Sequence, residues 1–307
     1  MTAGQTMRVK LIISTIVVAS VLSGSALAQS PTGTLKKIKD IGTITLGHRE
    51  SSIPFSYYDD KQQVIGYAMD LCGRIVDALK QELKLDKLEV KLNPVTSATR
   101  IPLIANGTVD LECGSTTNNL DRQKQVGFTI THFVTANRFV TKKSANLKTV
   151  DDLKGKTIVS TSGTTNIKQI TELGAQKNLG LNILAAKDHA EAFLMVETDR
   201  AAAFVMDDIL LYSLVASSKA PGDYVISADA LSVEPYGIML RRDDTPFKKV
   251  VDAAMTATYK GGAINAIYEK WFLKPIPPKG INLNLPMSAA FKKVVANPTD
   301  SGDPASY

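Results

Sequence analysis

The chain has 307 residues, 44% of them apolar and 21% charged. That composition excludes a disordered, collagenous or coiled-coil protein, and the length allows about two domains with a core in each. The net charge of +6 comes without Lys/Arg runs or interleaved aromatics, which argues against a nucleic-acid partner and suits an anionic small solute.

The N-terminus has the pattern of an export signal. Arg8 and Lys10 precede an apolar run over residues 11–22, and Ala26-Leu27-Ala28 supplies a small-x-small cleavage site before Gln29. The run is shorter than the ~20 residues of a membrane-spanning helix. No Cys follows the cut, so a lipid-anchored form is disfavoured. Residues 1–28 hold two of the 36 basic residues and none of the 30 acidic ones, which leaves a mature net charge of +4. The expected mature protein is exported and soluble.

Residues 41–47 read as a strand ending in Gly47-His48-Arg49, and extended segments at 55–58 and 64–67 flank the turn Asp59-Asp60-Lys61. Residues 68–83 carry Leu71, Ile75, Val76 and Leu79 at helical spacing. A strand at 88–92, a helix at 100–106 closed by Gly107 and a strand at 109–113 follow. Residues 133–141 then read as a crossing strand. A second unit begins with a strand at 157–161, a loop at 162–165 and a helix from 166. A strand end and helix over 185–200 and a buried strand at 201–206 continue it. Residues 231–240 bring the chain back through a bend at Pro235-Tyr236-Gly237; helices at 247–259 and 263–272 precede a Pro-rich tail from Pro275. This rhythm predicts two α/β lobes, the second inserted into the first: signal peptide 1–28, lobe 1 from 29–137 and 234–307, lobe 2 from 138–233. Two crossing segments allow hinge closure around a ligand.

Cys72 lies on the apolar face of the first long helix and Cys113 in an inward strand position. In an oxidising compartment they can pair; two buried free thiols remain the alternative, because spacing cannot test bond geometry.

Arg49 follows a strand where the chain turns, Arg100 starts a helix after Thr96-Ser97-Ala98-Thr99, and Arg122 lies beyond the strand that ends at Cys113. All three fall at the carboxyl ends of strands, where open α/β sheets bind ligands. Taken singly, each also reads as an ordinary solvated surface group.

Several segments resemble bacterial glutamate/aspartate-binding proteins of ABC transporters, in order along nearly the whole mature chain. They are residues 47–58 (GHRESSIPFSYY), 112–119 (ECGSTTNN), 161–165 (TSGTT), 186–189 (AKDH) and 206–208 (MDD), then Lys270-Trp271-Phe272 and Pro275-Ile276-Pro277-Pro278-Lys279. The resemblance implies an α/β, two-lobed periplasmic binding protein fold (type II), with the ligand cleft between lobes joined by two crossing strands. It also implies site roles. Arg122 clamps the ligand's α-carboxylate as a bidentate donor, helped by Thr117 and, from the other lobe, by Thr165 near a helix N-terminus. Asp207 and Ser115 take the α-ammonium, while Asp208 is left to cap the following helix. Arg49, Ser97, Arg100 and His189 select an acidic side chain, because two further buried guanidinium groups need another negative charge. His48, His132 and Trp271 are read as structural.

The expected function is periplasmic capture of L-glutamate or L-aspartate by a monomer and delivery to the membrane permease subunits of an ABC transporter. Between the two ligands one methylene, worth only ~1–3 kcal/mol, decides. Presentation to a chemoreceptor is compatible with the same residues. An enzyme on this fold, such as a cyclic amino-acid dehydratase, would need a proton-transfer group, and Glu50 is the only acidic candidate beside the arginines. No catalytic triad, metal-ligand cluster or phosphate-cradling glycine loop stands out, so neither metal nor cofactor is expected.

Overall fold

A computed structural model describes residues 1–3 and 32–307. The signal peptide at 1–28, with its cut before Gln29, lies outside the described residues save for the first three. α1 (Gly33–Ile41) buries Leu35 and Ile38 and stops at Gly42, whose φ of 66° turns the chain into β1 (Thr43–His48). Three short antiparallel strands, β2 (Ser51–Ser52), β3 (Ser56–Tyr58) and β4 (Val64–Ile65), precede α2 (Tyr67–Glu82). Leu71, Cys72, Ile75 and Leu79 of α2 are buried, as their spacing requires. β5 (Glu89–Pro94), α3 (Arg100–Ala105), β6 (Leu111–Glu112), α4 (Leu120–Gln123) and β7 (Val126–Phe128) complete the first pass. β6 is thus shorter than the strand expected over 109–113, although the N–H groups of Asp110 and Cys113 still donate to Thr45 O (2.9 Å) and Gly47 O (2.8 Å) of β1.

The second unit comprises β8 (Phe133–Lys142), β9 (Thr157–Thr161), α5 (Thr165–Gln176), β10 (Asn182–Ala186), α6 (His189–Glu197) and β11 (Ala203–Asp207). α7 (Asp208–Ser217), β12 (Tyr224–Ile226) and β13 (Ser232–Tyr236) follow, and β14 (Met239–Arg241) rejoins the first sheet. α8 (Thr245–Lys260), α9 (Ala263–Tyr268) and α10 (Ala289–Ala296) close the chain. The fold is a two-lobed α/β architecture. One lobe is built on the sheet β5-β1-β6-β14-β7, the other on β10-β9-β11-β8-β12 with β13 also paired to β8. In the first sheet β5, β1 and β6 run parallel; in the second β10, β9 and β11 do.

The chain passes between the sheets twice, at 129–132 and 237–238. The passages lie side by side: Thr129 donates its N–H to Ile238 O (3.0 Å), His132 to Tyr236 O (2.8 Å), and β8 pairs with β13 from Phe133↔Tyr236 onward. The strands of the second sheet therefore extend from Phe133 to Tyr236, beyond the 138–233 read for the inserted lobe, because pairing begins at the first residue of β8. Phe55, Tyr67, Phe133, Tyr236 and Phe272 pack edge-to-face or stacked beside this crossing. Trp271 is buried and donates to Asp70 Oδ2 (2.7 Å), the packing role expected of it. Among the described residues no helix is long and apolar enough to cross a membrane.

Cys72 of α2 and Cys113, just past β6, form a disulfide that closes a loop of 41 residues in sequence. A loop of that size corresponds to roughly 3–4 kcal/mol of chain-entropy stabilisation. The Cys72→Ala/Cys113→Ala variant should accordingly melt roughly 6–12 °C below the parent in calorimetry. An unchanged melting temperature would show that the bridge contributes nothing.

Candidate functional site

Each of the nine residues expected to bind the ligand lies at or just beyond the carboxyl end of a parallel strand. Arg49 follows β1; Ser97 and Arg100 lie between β5 and the first residue of α3; Ser115, Thr117 and Arg122 follow β6. In the second sheet Thr165 opens α5 after β9, His189 opens α6 after β10, and Asp207 ends β11. Parallel strands point their carboxyl ends the same way, so three strand ends per sheet deliver these side chains together. Eight of the nine are buried, with Thr165 half-buried. Seven line one tight cavity of about 10 Å³, and Thr164, Asn166, Met206 and Leu210 complete its wall. Arg49 and Arg122 back that wall: Arg49 Nη2 donates to Ser97 Oγ (2.9 Å) and Arg122 Nη1 to Thr117 O (2.9 Å).

The cavity is polar and short of partners. Arg49 Nη1, Arg100 Nε, Ser115 Oγ and His189 Nε2 are buried without any hydrogen bond. Leaving such groups unpaired costs roughly 1–3 kcal/mol each. Arg100 sits 3.9 Å from Glu112 Oε1 and donates to Ser115 O (3.3 Å) and to Thr116 Oγ1. Neither Arg49 nor Arg122 has a carboxylate within 4.0 Å among the described residues. Burial, reinforced by Arg100, lowers the Arg49 guanidinium to about 10 and that of Arg122 to about 9. His189 Nδ1 lies 2.8 Å from Thr161 Oγ1; burial and then Arg49 and Arg100 hold its pKa well below the usual value, so it is neutral. Asp207 accepts from Asn166 Nδ2 (2.7 Å) and from the Tyr236 hydroxyl, yet burial and Glu234 raise it to about 7.

Contacts run across the cleft. Arg122 Nη2 donates to Gly163 O (3.2 Å) and Thr117 Oγ1 lies 3.5 Å from Thr165 Oγ1, while within the second unit Thr165 Oγ1 also donates to Glu234 Oε2 (3.0 Å).

A sequence model of the bacterial extracellular solute-binding proteins, family 3, matches residues 44–274. The chain belongs to this family. Among curated relatives, the "L-glutamate/L-aspartate-binding protein" of Pseudomonas aeruginosa is 54% identical over 290 residues, 94% of this chain and 96% of its own. The "Glutamate/aspartate import solute-binding protein" of Escherichia coli K12 is 46% identical over 267 residues, 87% of this chain and 88% of its own. Of solved structures, an ancestral arginine-binding protein bound to arginine superposes with a TM-score of 0.69 at 27% identity, covering 75% of this chain and 98% of that one. The fold is that of the type II periplasmic binding proteins. As a solute-binding protein the chain is no enzyme, and Glu50 is exposed to solvent.

Four residues of this solute-binding protein's site escaped the sequence reading. Asn166 holds Asp207, Thr164 caps α5 by accepting from Ile167 N (3.3 Å), and Glu112 and Glu234 are buried carboxylates among the arginines. Glu112 carried no signal of burial, because in Val109-Asp110-Leu111-Glu112-Cys113 the acidic residues alternate with apolar ones as on an outward face. Parallel strands are covered on both faces, so Glu112 is buried as fully as Cys113 beside it. The capping role expected of Asp208 is corrected: it accepts from Thr135 Oγ1 and pairs with Arg138 Nε (3.2 Å), and Asp207 occupies the cap position of α7 without a capping bond. His48 and His132 are buried outside the cavity wall.

The Asp207 carboxyl gives a pH prediction. Its folded value of about 7 stands above the 3.8 of a free Asp, so the native state holds the proton more tightly than the unfolded chain. The ionised form's penalty is fully present above pH 7 and disappears as pH falls towards 4. In ligand-free protein at pH 8, Asp207→Asn should stabilise by roughly 1–4 kcal/mol, with the gain fading by pH 5. Equal melting temperatures for variant and parent at pH 8 would contradict this.

Proposed function

We propose that this protein captures L-glutamate or L-aspartate in the cavity between its lobes and hands it to the permease subunits of an ABC transporter. The observation that carries the reading is the charge pattern: two buried guanidinium groups, Arg49 and Arg122, have no carboxylate in contact. Two guanidinium groups without a contacting carboxylate suit a guest whose two carboxylates can each meet one of them while its ammonium meets Asp207. Arg100 is not part of that surplus, since Glu112 faces it. Supporting the reading, relatives at 54% and 46% identity carry glutamate and aspartate in their names.

In this reading Arg122 takes the α-carboxylate, with the hydroxyls of Thr117 and Thr165 beside it. Asp207 and Ser115 Oγ take the ammonium, whose charge draws Asp207 into its ionised form. Arg49 Nη1 and Arg100 Nε meet the side-chain carboxylate together with Ser97. If the Thr161 hydroxyl donates to Nδ1, the neutral His189 offers Nε2–H to the same group. Each of the unpartnered atoms then acquires a partner. Closure follows because only the closed lobes let both halves touch the ligand at once.

The protein would work as a monomer in the periplasm, after removal of residues 1–28, with the second lobe inserted into the first between the passages at 129–132 and 237–238. Presentation of the same closed form to a chemoreceptor uses no further residue. Neither cofactor nor metal enters the cycle.

Calorimetry on single variants tests the assignment. Arg122→Ala should weaken every amino acid by roughly a hundredfold or more, whereas Arg49→Ala should weaken glutamate and aspartate by a similar factor and spare glutamine. Full glutamate affinity in Arg49→Ala would remove the basis of the acidic selectivity.

Closure makes its own prediction at Gly163. Its φ is +76°, and a Cβ there would lie 2.6 Å from Ala98 Cα, across the cleft. Gly163→Ala should therefore hold the lobes apart and weaken glutamate roughly tenfold or more while leaving the melting temperature of the ligand-free protein within a few degrees. Wild-type affinity in that variant would mean that the lobes need not meet at this point.

A further inference from the structure

Arg122 belongs to α4, a helix of four residues, which cannot hold its own position as an isolated turn. Something outside must fix it. Asn119 Oδ1 accepts from Arg122 N (2.9 Å), but Asn119 lies on the same loop. External contacts on the C-terminal side run through Asn118 and Gln123. Asn118 is fully buried, donates its N–H to Pro235 O (2.7 Å) on the crossing strand, and donates Nδ2 to Asp300 O (2.9 Å) near the end of the chain. Gln123 Nε2 reaches the same carbonyl (3.0 Å) and Asn118 Oδ1 (2.9 Å).

We propose that residues 298–307 form a strap that positions the Arg122 clamp, and that Asn118 is the positioning residue through which the strap acts. The proposal rests on the reading of Arg122 as the group that takes the α-carboxylate. The strap is anchored on both sides of the site. Towards the loop, a Cβ on Gly302 would lie 2.8 Å from Asn119 C and 2.9 Å from Leu120 N, so the two backbones touch where only glycine fits. Towards the hinge, Thr299 O accepts from Thr131 N (2.8 Å), and the Tyr307 hydroxyl lies 2.6 Å from Thr131 Oγ1. Lys248 Nζ pairs with Asp300 (2.8 Å), fixing the strap to α8. One short segment thus holds the Arg122 loop and the first interlobe passage in a common frame, so the guanidinium is aimed before the ligand arrives. Pre-positioning of this kind improves affinity by removing the ordering cost from the binding step.

The test deletes residues 298–307 and compares glutamate with its α-amide, which lacks the group Arg122 would clamp, by calorimetric titration and competition. Expected is a roughly 10–100-fold loss for glutamate with a much smaller loss for the α-amide, so that the preference for a free α-carboxylate shrinks. General loosening would weaken both ligands equally, and that outcome overturns the proposal. So does a folded deletion variant whose glutamate Kd stays within about twofold of the parent. If the deletion does not fold, Gln123→Ala in the full chain removes one of the two side chains that hold the strap. The same shift in preference is expected there on a smaller scale, and an unchanged preference overturns the proposal. The parent protein tests the functional reading separately: should it ignore glutamate and bind another amino acid, that reading fails, and the comparison is made with that amino acid and its α-amide.

Discussion

Burying a guanidinium group out of contact with any carboxylate costs free energy even after relaxation, and this fold does so at both Arg49 and Arg122. Two carbonyls receive Arg122, but only one hydroxyl receives Arg49, whose Nη1 is left without a partner. Such an arrangement survives only when rigid surroundings hold it in place. The ends of two parallel sheets do this, with a disulfide behind the first of them tying α2 to the strand that leads to Ser115. The same cost creates the driving force for binding. An anion entering the cavity gains ion pairs with these guanidinium groups, and that gain is offset by desolvation of the anion and of the site.

The crossing between the lobes is built differently from the cavity. Two passages hydrogen-bonded to each other lie against an aromatic cluster that contains His132, a ring buried with neither nitrogen paired and its pKa lowered to about 3 by burial. A neutral imidazole there acts as one more aromatic ring. The apolar base keeps the two passages together as a pair, while the polar groups face the cleft where the lobes meet.

Much of this was legible in the sequence where one physical period dominated. α2 shows its buried stripe, β9 coincides with the expected 157–161, and Gly47-His48-Arg49 marks a strand end at the residue that matters. α7 has no such period: it is apolar almost throughout, and Leu210, Leu211 and Leu214 are buried on several sides. α10 sits inside the Pro-rich tail, held by Phe291 and Val294, which only tertiary packing reveals. Within the site, positions at strand ends could be read because strand ends can be read. Partner choice could not, since whether Asp207 or Asp208 takes a given role depends on Asn166 and Arg138, 41 and 70 residues away along the chain. The arginines were found; the carboxylate that neutralises one of them was not.

That carboxylate explains a glycine whose backbone is otherwise ordinary. A Cβ on Gly114 would lie 2.3 Å from Glu112 Oε1 and 2.9 Å from Arg49 Cγ. Glu112 accepts from Thr116 Oγ1 (2.6 Å) and faces Arg100 only because position 114 has no side chain to displace it. Were Glu112 displaced, Arg100 would join Arg49 and Arg122 as a third guanidinium without a contacting carboxylate, one more than the two carboxylates of a dicarboxylic amino acid. Arg49, pressed from the same point, would move its free Nη1 as well. On the proposed reading, the acidic selectivity therefore depends on a residue that would touch no ligand: the missing methyl group at 114 keeps Glu112 facing Arg100 and leaves only Arg49 and Arg122 without a contacting carboxylate.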